Sequence, residues 1–206
     1  MPAYDPSADR ARLVEILLRR SVRFGQFTLA SGATSPFYID VRKTSLDADG
    51  AGVIGRLVVG TYAAEFAAHD LTAVGGLTLG ADPIAVATLL EARSQGHALD
   101  AFLVRKAQKA HGAGNLIEGN LVPGAHALVV EDVCTSGESA LQAARAAREA
   151  GAIVTRAWCV VDRRAGGREA LQAEGIELIA ALDVDTLLAA SPEGRALLAA
   201  RTAPSP

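Results

Sequence analysis

The sequence predicts an α/β fold: a mostly parallel central sheet with helices on both faces, plus a small N-terminal hood. Three observations carry this. From Asp49 onward, stretches with helical periodicity alternate with short apolar runs, the pattern of parallel strands joined by crossover helices. One run, Ala-Leu-Val-Val at 127–130, is continuously apolar, as a strand covered on both faces must be. With 206 residues, 50% hydrophobic and 21% charged, the chain can bury the core of one domain and is no disordered polymer.

In chain order, residues 9–22 set Leu13, Ile16 and Leu17 at helical spacing. Residues 27–30 and 37–41 read as two short strands around a turn at 31–36, where Gly32 and Pro36 reverse the chain. These elements make the hood region, residues 1–45. Helices are then expected at 51–68, 83–95 and 138–150, and strands at 73–77, 100–104, 127–130 and 156–161. Residues 176–180 add a last strand, 185–200 a last helix, and 202–206 a disordered tail. No repeat or linker divides the chain, so residues 1–206 are expected to form one domain.

Charge narrows the function classes. The 20 basic and 23 acidic residues leave a net charge of -3, without the basic surplus that nucleic acid requires. No run of about eighteen uncharged apolar residues could span a membrane, and residues 1–10 lack the basic-then-apolar pattern of a signal peptide. A cytoplasmic protein with neither nucleic-acid nor membrane partner is expected. Cys134, in a loop, and Cys159, in a core strand, are too few for a disulfide framework and are expected to be free thiols.

Residues 127–139 read A-L-V-V-E-D-V-C-T-S-G-E-S. The apolar run should deliver Glu131 and Asp132 together at the carboxyl end of a strand, where open α/β sheets bind ligands. Thr135, Ser136 and Gly137 then lead into a helix whose unpaired N–H groups and dipole favour phosphate. Carboxylates for sugar hydroxyls beside amides for a phosphate describe a ribose-phosphate site.

This segment resembles the phosphoribosyl pyrophosphate motif of type I phosphoribosyltransferases: four apolar residues, two acids and a T-x-G-type loop. The resemblance assigns phosphoribosyl pyrophosphate to Glu131, Asp132, Val133, Cys134, Thr135, Ser136, Gly137, Glu138 and Ser139. It also implies the type I fold.

A second cluster, R-K-A-Q-K-A-H-G at 105–112, leaves a strand end and enters a loop running to about residue 124. A loop that long is usually a lid or a binding element, and its cations suit a polyanion. It resembles the lid of orotate phosphoribosyltransferases, R-K-x-x-K-x-H-G. The resemblance makes Arg105, Lys106, Lys109 and His111 ligands of pyrophosphate, with Lys109, Arg105, His111 and Asp132 the catalytic set. Cations on a closing lid neutralise a leaving group while excluding water.

Three more stretches keep the family order. The pattern F-x-L-x-S-G-x-x-S-x-x-Y at 27–38 is alone only a hairpin with a glycine-proline turn. It resembles the hood over the pyrimidine, which puts Tyr38 and Ile39 at orotate; relatives often carry a lysine where this chain has Ala30. G-G-L-T-L-G-A-D at 75–82 has two glycines at P-loop spacing but Ala81 where the lysine is required, and it holds no dinucleotide fingerprint. Its resemblance is to the pyrophosphate loop, whose backbone amides sit around Leu79 and Gly80, often with a non-proline cis peptide; some relatives have Tyr-Lys at those two places. Finally, D-R-R at 162–164 resembles the pair that supplies an arginine to the orotate carboxylate. A guanidinium fork suits a carboxylate, and Arg163 holds the matching place.

From about Phe24 to Arg163, then, the chain is similar to orotate phosphoribosyltransferases. That resemblance implies transfer of phosphoribose from phosphoribosyl pyrophosphate to orotate in pyrimidine synthesis. It also implies Thr135 beside the base, Mg²⁺ bound mainly through substrate and water with no direct protein ligand, and a homodimer whose lid serves the neighbouring site. A purine phosphoribosyltransferase and a non-catalytic sensor of phosphoribosyl pyrophosphate remain as alternatives.

Overall fold

A computed structural model describes residues 4–28, 32, 34–107 and 116–202. The elements are α1 (Ser7–Arg20), β1 (Val22–Thr28), β2 (Thr34–Ile39), α2 (Arg42–Ser45), α3 (Ala48–Thr61), α4 (Ala63–Ala67), β3 (Ala73–Leu77) and α5 (Ala81–Ser94). They continue as β4 (Asp100–Val104), β5 (Ile117–Gly119), β6 (His126–Cys134), α6 (Glu138–Glu149), β7 (Ile153–Asp162), α7 (Gly167–Ala173), β8 (Glu177–Asp183), α8 (Val184–Ala189) and α9 (Pro192–Thr202).

Six strands form the central sheet in the order β5-β4-β3-β6-β7-β8. All neighbours are parallel except the edge pair β4 and β5. After β3 the chain moves outward to β4; after β6 it moves the other way to β7 and β8. The direction of winding therefore switches between β3 and β6, and ligands bind in such sheets outside the carboxyl ends of the strands at the switch point.

Strand alternation decides which helices cover which face. Leu128 and Val130 of β6 join Trp158 and Val160 of β7 in one core with Ile16 of α1, Ile54 and Leu57 of α3, Ile84 of α5 and Leu187 of α8. Ala127 and Val129 point the other way with Ala157 and Cys159, and pack against Leu141 and Ala144 of α6 and Leu171 of α7. The small side chains of α6, Ala140, Ala143, Ala144 and Ala147, are all buried, which brings that helix close onto the sheet.

Several expected bounds move, each for a local reason. Val22 opens β1 rather than closing α1, and Thr34 to Pro36 belong to β2 instead of a turn, because Val22↔Ile39 through Thr28↔Thr34 form a bulged antiparallel ladder. The helix expected at 51–68 starts earlier, with Asp47 accepting from the Gly50 N–H at 3.2 Å as its cap. It divides into α3 and α4 at Tyr62, whose buried hydroxyl donates to the Ala157 carbonyl at 3.2 Å.

The helix expected at 185–200 also divides. The Ser191 hydroxyl accepts from the Gly194 N–H at 3.0 Å, and Pro192 takes the first position of α9, where its missing N–H costs nothing. That helix reaches Thr202, so of the tail expected at 202–206 the last four positions lie outside the described residues. The short helices α2 and α7 and the edge strand β5, inside the loop expected at 105–124, carry too few residues for periodicity to expose them.

Candidate active site

β6 is longer than its apolar run. Its pairing with β7 continues through Cys134↔Asp162, so Glu131 and Asp132 lie inside the strand and not beyond its end. The two acids differ in burial, yet their carboxyl groups remain within interaction range of each other. Glu131 is buried and Asp132 half-buried. Burial, with the charge of Asp132 beside it, pushes the Glu131 carboxyl up to about 9, so at neutral pH it is a proton carrier. One oxygen of Asp132 accepts from the Val133 N–H at 2.9 Å.

Cys134 closes the strand with a buried side chain, contrary to the expected loop position. Burial pushes its thiol up to about 11, which removes it as a nucleophile. Thr135 and Ser136 follow, exposed, and Gly137 turns the chain at φ 81° into α6. No side chain caps this helix. Its first-turn N–H groups, from Glu138 and Ser139 onward, are therefore left for a ligand at the positive end of the dipole.

The loop after β3 lies across the switch point. The Thr78 N–H donates to the Val104 carbonyl at 2.9 Å, the Thr78–Leu79 peptide is cis, and Leu79 is exposed. Gly80 approaches Asp132 so closely that a Cβ there would stand 2.6 Å from Asp132 Oδ1. The expected pyrophosphate loop and ribose carboxylate are thus in contact.

On the base side, the Arg163 N–H donates to the Cys134 carbonyl at 2.9 Å, tying the end of β7 to the start of the phosphate loop. Its half-buried guanidinium lies 5.1 Å from the centroid of the Phe37 ring in β2. Burial holds it below the usual guanidinium value, and it makes no ion pair among the described residues. Arg164 is already committed, to Asp183 at 3.0 Å and Asp185 at 3.6 Å. Tyr38 is exposed and packs on Phe27 with centroids 5.7 Å apart, whereas the Ile39 side chain is in the core. Ile39 can therefore offer a ligand only its backbone.

The lid is described in part. Arg105 is anchored through its N–H to the Leu116 carbonyl at 2.8 Å and pairs with Glu118 at 3.3 Å, so it must exchange that partner to meet a phosphate. Lys106 is exposed, and its charge counteracts the rise of the Glu131 carboxyl. Lys109, His111 and Ala30 lie outside the described residues. Sequence reasoning missed Arg42, which pairs with Asp40 at 2.8 Å and also feels the charge of Asp132. It missed Arg201 as well, 5.8 Å from the Phe37 ring. Neither sits in a motif.

No family model matches the chain. Its sequence is 46% identical over 169 residues to the orotate phosphoribosyltransferase of Mycobacterium tuberculosis strain H37Rv, covering 82% of this chain and 90% of that one. Identity to the orotate phosphoribosyltransferase of Streptomyces avermitilis is 42% over 179 residues, 86% of this chain and 96% of that one. The crystal structure of the M. tuberculosis H37Rv enzyme in complex with 5-phospho-α-D-ribosyl 1-diphosphate matches with a TM-score of 0.73 at 40% identity, covering 87% of this chain and 98% of that one.

Proposed function

Because the chain belongs to the orotate phosphoribosyltransferases, we propose that it transfers phosphoribose from phosphoribosyl pyrophosphate to N1 of orotate. The bond from ribose C1 to pyrophosphate breaks with its electron pair on the leaving oxygen. The C1–N1 bond forms, N1 gives up its proton to the departing pyrophosphate or to water, and the products are orotidine 5'-monophosphate and pyrophosphate, a step of de novo pyrimidine synthesis.

One observation carries the choice of base: Arg163, a half-buried guanidinium with no ion-pair partner among the described residues, stands beside a phosphate-type loop at the switch point. Orotate brings the carboxylate that this cation lacks, and adenine, hypoxanthine and uracil do not. Tyr38 and the Ile39 backbone would cover the ring, with Thr135 at its edge. Loops 135–139 and 78–80 would hold the 5'-phosphate and the pyrophosphate through backbone N–H groups.

The chemistry asked of the protein is charge management. The ribose approaches an oxocarbenium ion, as in glycoside cleavage, so Asp132 near the ring stabilises it while accepting from a ribose hydroxyl. Glu131, protonated before substrate binds, can donate to one hydroxyl and accept from another. Lys109, with Arg105, Lys106 and His111, would neutralise the leaving pyrophosphate.

Mg²⁺ held with the substrate beside Asp132 would supply further neutralisation of the leaving group. The residues suit such an ion: Asp132 is half-buried and offers hard oxygens. Among the described residues no three His, Cys, Asp or Glu side chains gather; in this proposal substrate and water would supply most of the ion's ligands.

A dimer with shared sites is part of the proposal. Leu46, Leu79, Val86 and Leu90 are 75%, 66%, 52% and 63% exposed. Val86 and Leu90 are one turn apart on α5, directly after the pyrophosphate loop, so this apolar stripe supports a two-fold contact adjoining the active site. No helix among the described residues is long and apolar enough to cross a membrane, and we place the protein in the cytoplasm.

The test mixes the pure protein with orotate, phosphoribosyl pyrophosphate and Mg²⁺ and follows the loss of orotate absorbance. Turnover with orotate and background rates with adenine, hypoxanthine and uracil are expected. Turnover of a purine base would make this a purine enzyme, and tight phosphoribosyl pyrophosphate binding without turnover would make it a sensor.

A further inference from the structure

Arg163 is not alone beside Phe37. Arg201, in the last turn of α9, holds its guanidinium carbon 5.8 Å from the same ring centroid, against 5.1 Å for Arg163. The ring itself is 2% exposed. Hood strand β2, the end of β7 and the last turn of α9, remote in sequence, converge on one point. Two cations gathered there repel each other, and after burial the charge of Arg201 is the next influence holding the Arg163 guanidinium below its ordinary value.

Carboxylates nearby answer only one of these two cations. Asp185 lies 3.5 Å from Arg201 and 3.6 Å from Arg164, and Asp183 lies 3.0 Å from Arg164. Asp162 pairs with Arg168 at 3.2 Å. The described residues thus give Arg164 and Arg201 a partner and leave Arg163 with none.

We propose that Arg201 is a second specificity-determining residue for the base: with Arg163 it forms a two-guanidinium receptor for the orotate carboxylate, closed by α9. The proposal rests on the assignment of Arg163 given above. A carboxylate has lone pairs enough for both guanidiniums, and one negative charge between them replaces repulsion with attraction. Bound orotate then stabilises the docked α9, and docked α9 strengthens orotate binding by the same factor. Lysine would serve poorly at 201, because a point charge on a flexible stem lacks the planar fork.

Arg201→Ala and Arg201→Lys, with Arg163→Ala in parallel, separate the possibilities through KM and kcat for orotate, KM for phosphoribosyl pyrophosphate, and thermal midpoints with and without orotate and pyrophosphate. Arg201→Ala is expected to raise the orotate KM on the order of tenfold, less than Arg163→Ala does. Its kcat and its KM for phosphoribosyl pyrophosphate should stay within about twofold. Arg201→Lys should recover only part of the loss, and the thermal shift produced by orotate should shrink in both variants.

An unchanged orotate KM in Arg201→Ala, with Arg163→Ala impaired, would overturn this proposal and leave the Arg163 assignment standing. Should neither variant change it, both fall. Equal rises in KM for both substrates, or a lower midpoint without substrate preference, would make Arg201 a structural residue and overturn the proposal.

Discussion

Gly80 and Asp132 touch across the switch point of the sheet: a Cβ on Gly80 would lie 2.6 Å from Asp132 Oδ1 and 2.7 Å from its Cγ. The backbone at Gly80 is ordinary, with φ -66°, so what demands glycine is proximity. Space, rather than conformational freedom, couples the two loops that would hold phosphoribosyl pyrophosphate.

Gly80→Ala should therefore leave the fold intact and push the Asp132 carboxylate aside. The KM for phosphoribosyl pyrophosphate should rise between about tenfold and a hundredfold, the scale of a misplacement near 1 Å, while the ligand-free thermal midpoint moves by no more than about 3 °C. A midpoint that collapses with the affinity would show the glycine serving the fold instead.

Glu131 makes ligand-free stability depend on pH. Its carboxyl is raised from an ordinary 4.5 to about 9, so between those values the folded chain binds a proton that the unfolded chain has lost. The contribution is complete below the lower value and is lost as pH rises through the upper one. Glu131→Gln has no proton to lose. Its midpoint should match the wild type near pH 5 and exceed it by several degrees near pH 8.5, although activity falls. Thermal scans across pH decide this, and parallel curves would remove the raised carboxyl.

Lys109→Ala should depress kcat on the order of a hundredfold, the loss expected for one preorganised electrostatic contact. The KM for phosphoribosyl pyrophosphate should change far less, because charge on the leaving group grows toward the transition state. Steady-state kinetics showing a change in KM alone would make Lys109 a binding residue.

If the lid serves the neighbouring subunit, two nearly dead proteins should rescue each other. A mixed dimer of Lys109→Ala with Asp132→Asn has one site carrying both lesions and one carrying neither. Random exchange makes about half the dimers mixed, so roughly a quarter of wild-type activity should return after co-expression. Verified mixed dimers without recovery would confine each lid to its own subunit.

The fold is legible in the sequence wherever strands are continuously apolar and helices long. The residues at 73–77 and 100–104 are strands as the pattern predicts, and α5 and α6 fall within two residues of expectation at each end. The interruptions at Tyr62 and at Ser191-Pro192 do not disturb the periodicity; only the second leaves a readable mark, a capping serine before a proline. Among the candidate site residues, Arg163 is separated from Arg164 by ion pairing, which depends on Asp183 and Asp185 arriving from β8 and the start of α8. Arg201 has no motif, since its place beside Phe37 comes from the packing of α9 onto the hood. The buried state of Glu131 is hidden because the ladder outruns the apolar run by four residues, from Val130 to Cys134.

If Arg163 selects the base by pairing with the orotate carboxylate, the discriminating quantity is the ratio of kcat/KM for orotate to that for uracil, in wild type and in Arg163→Ala. Leaving a half-buried guanidinium without the carboxylate it would pair with costs several kcal/mol, so the wild-type ratio should be roughly a thousand or more and should fall at least about a hundredfold in the variant. Arg164→Ala serves as the neighbouring control and should keep the wild-type ratio. A ratio near one in the wild type, or one that Arg163→Ala leaves unchanged, would contradict that role for Arg163.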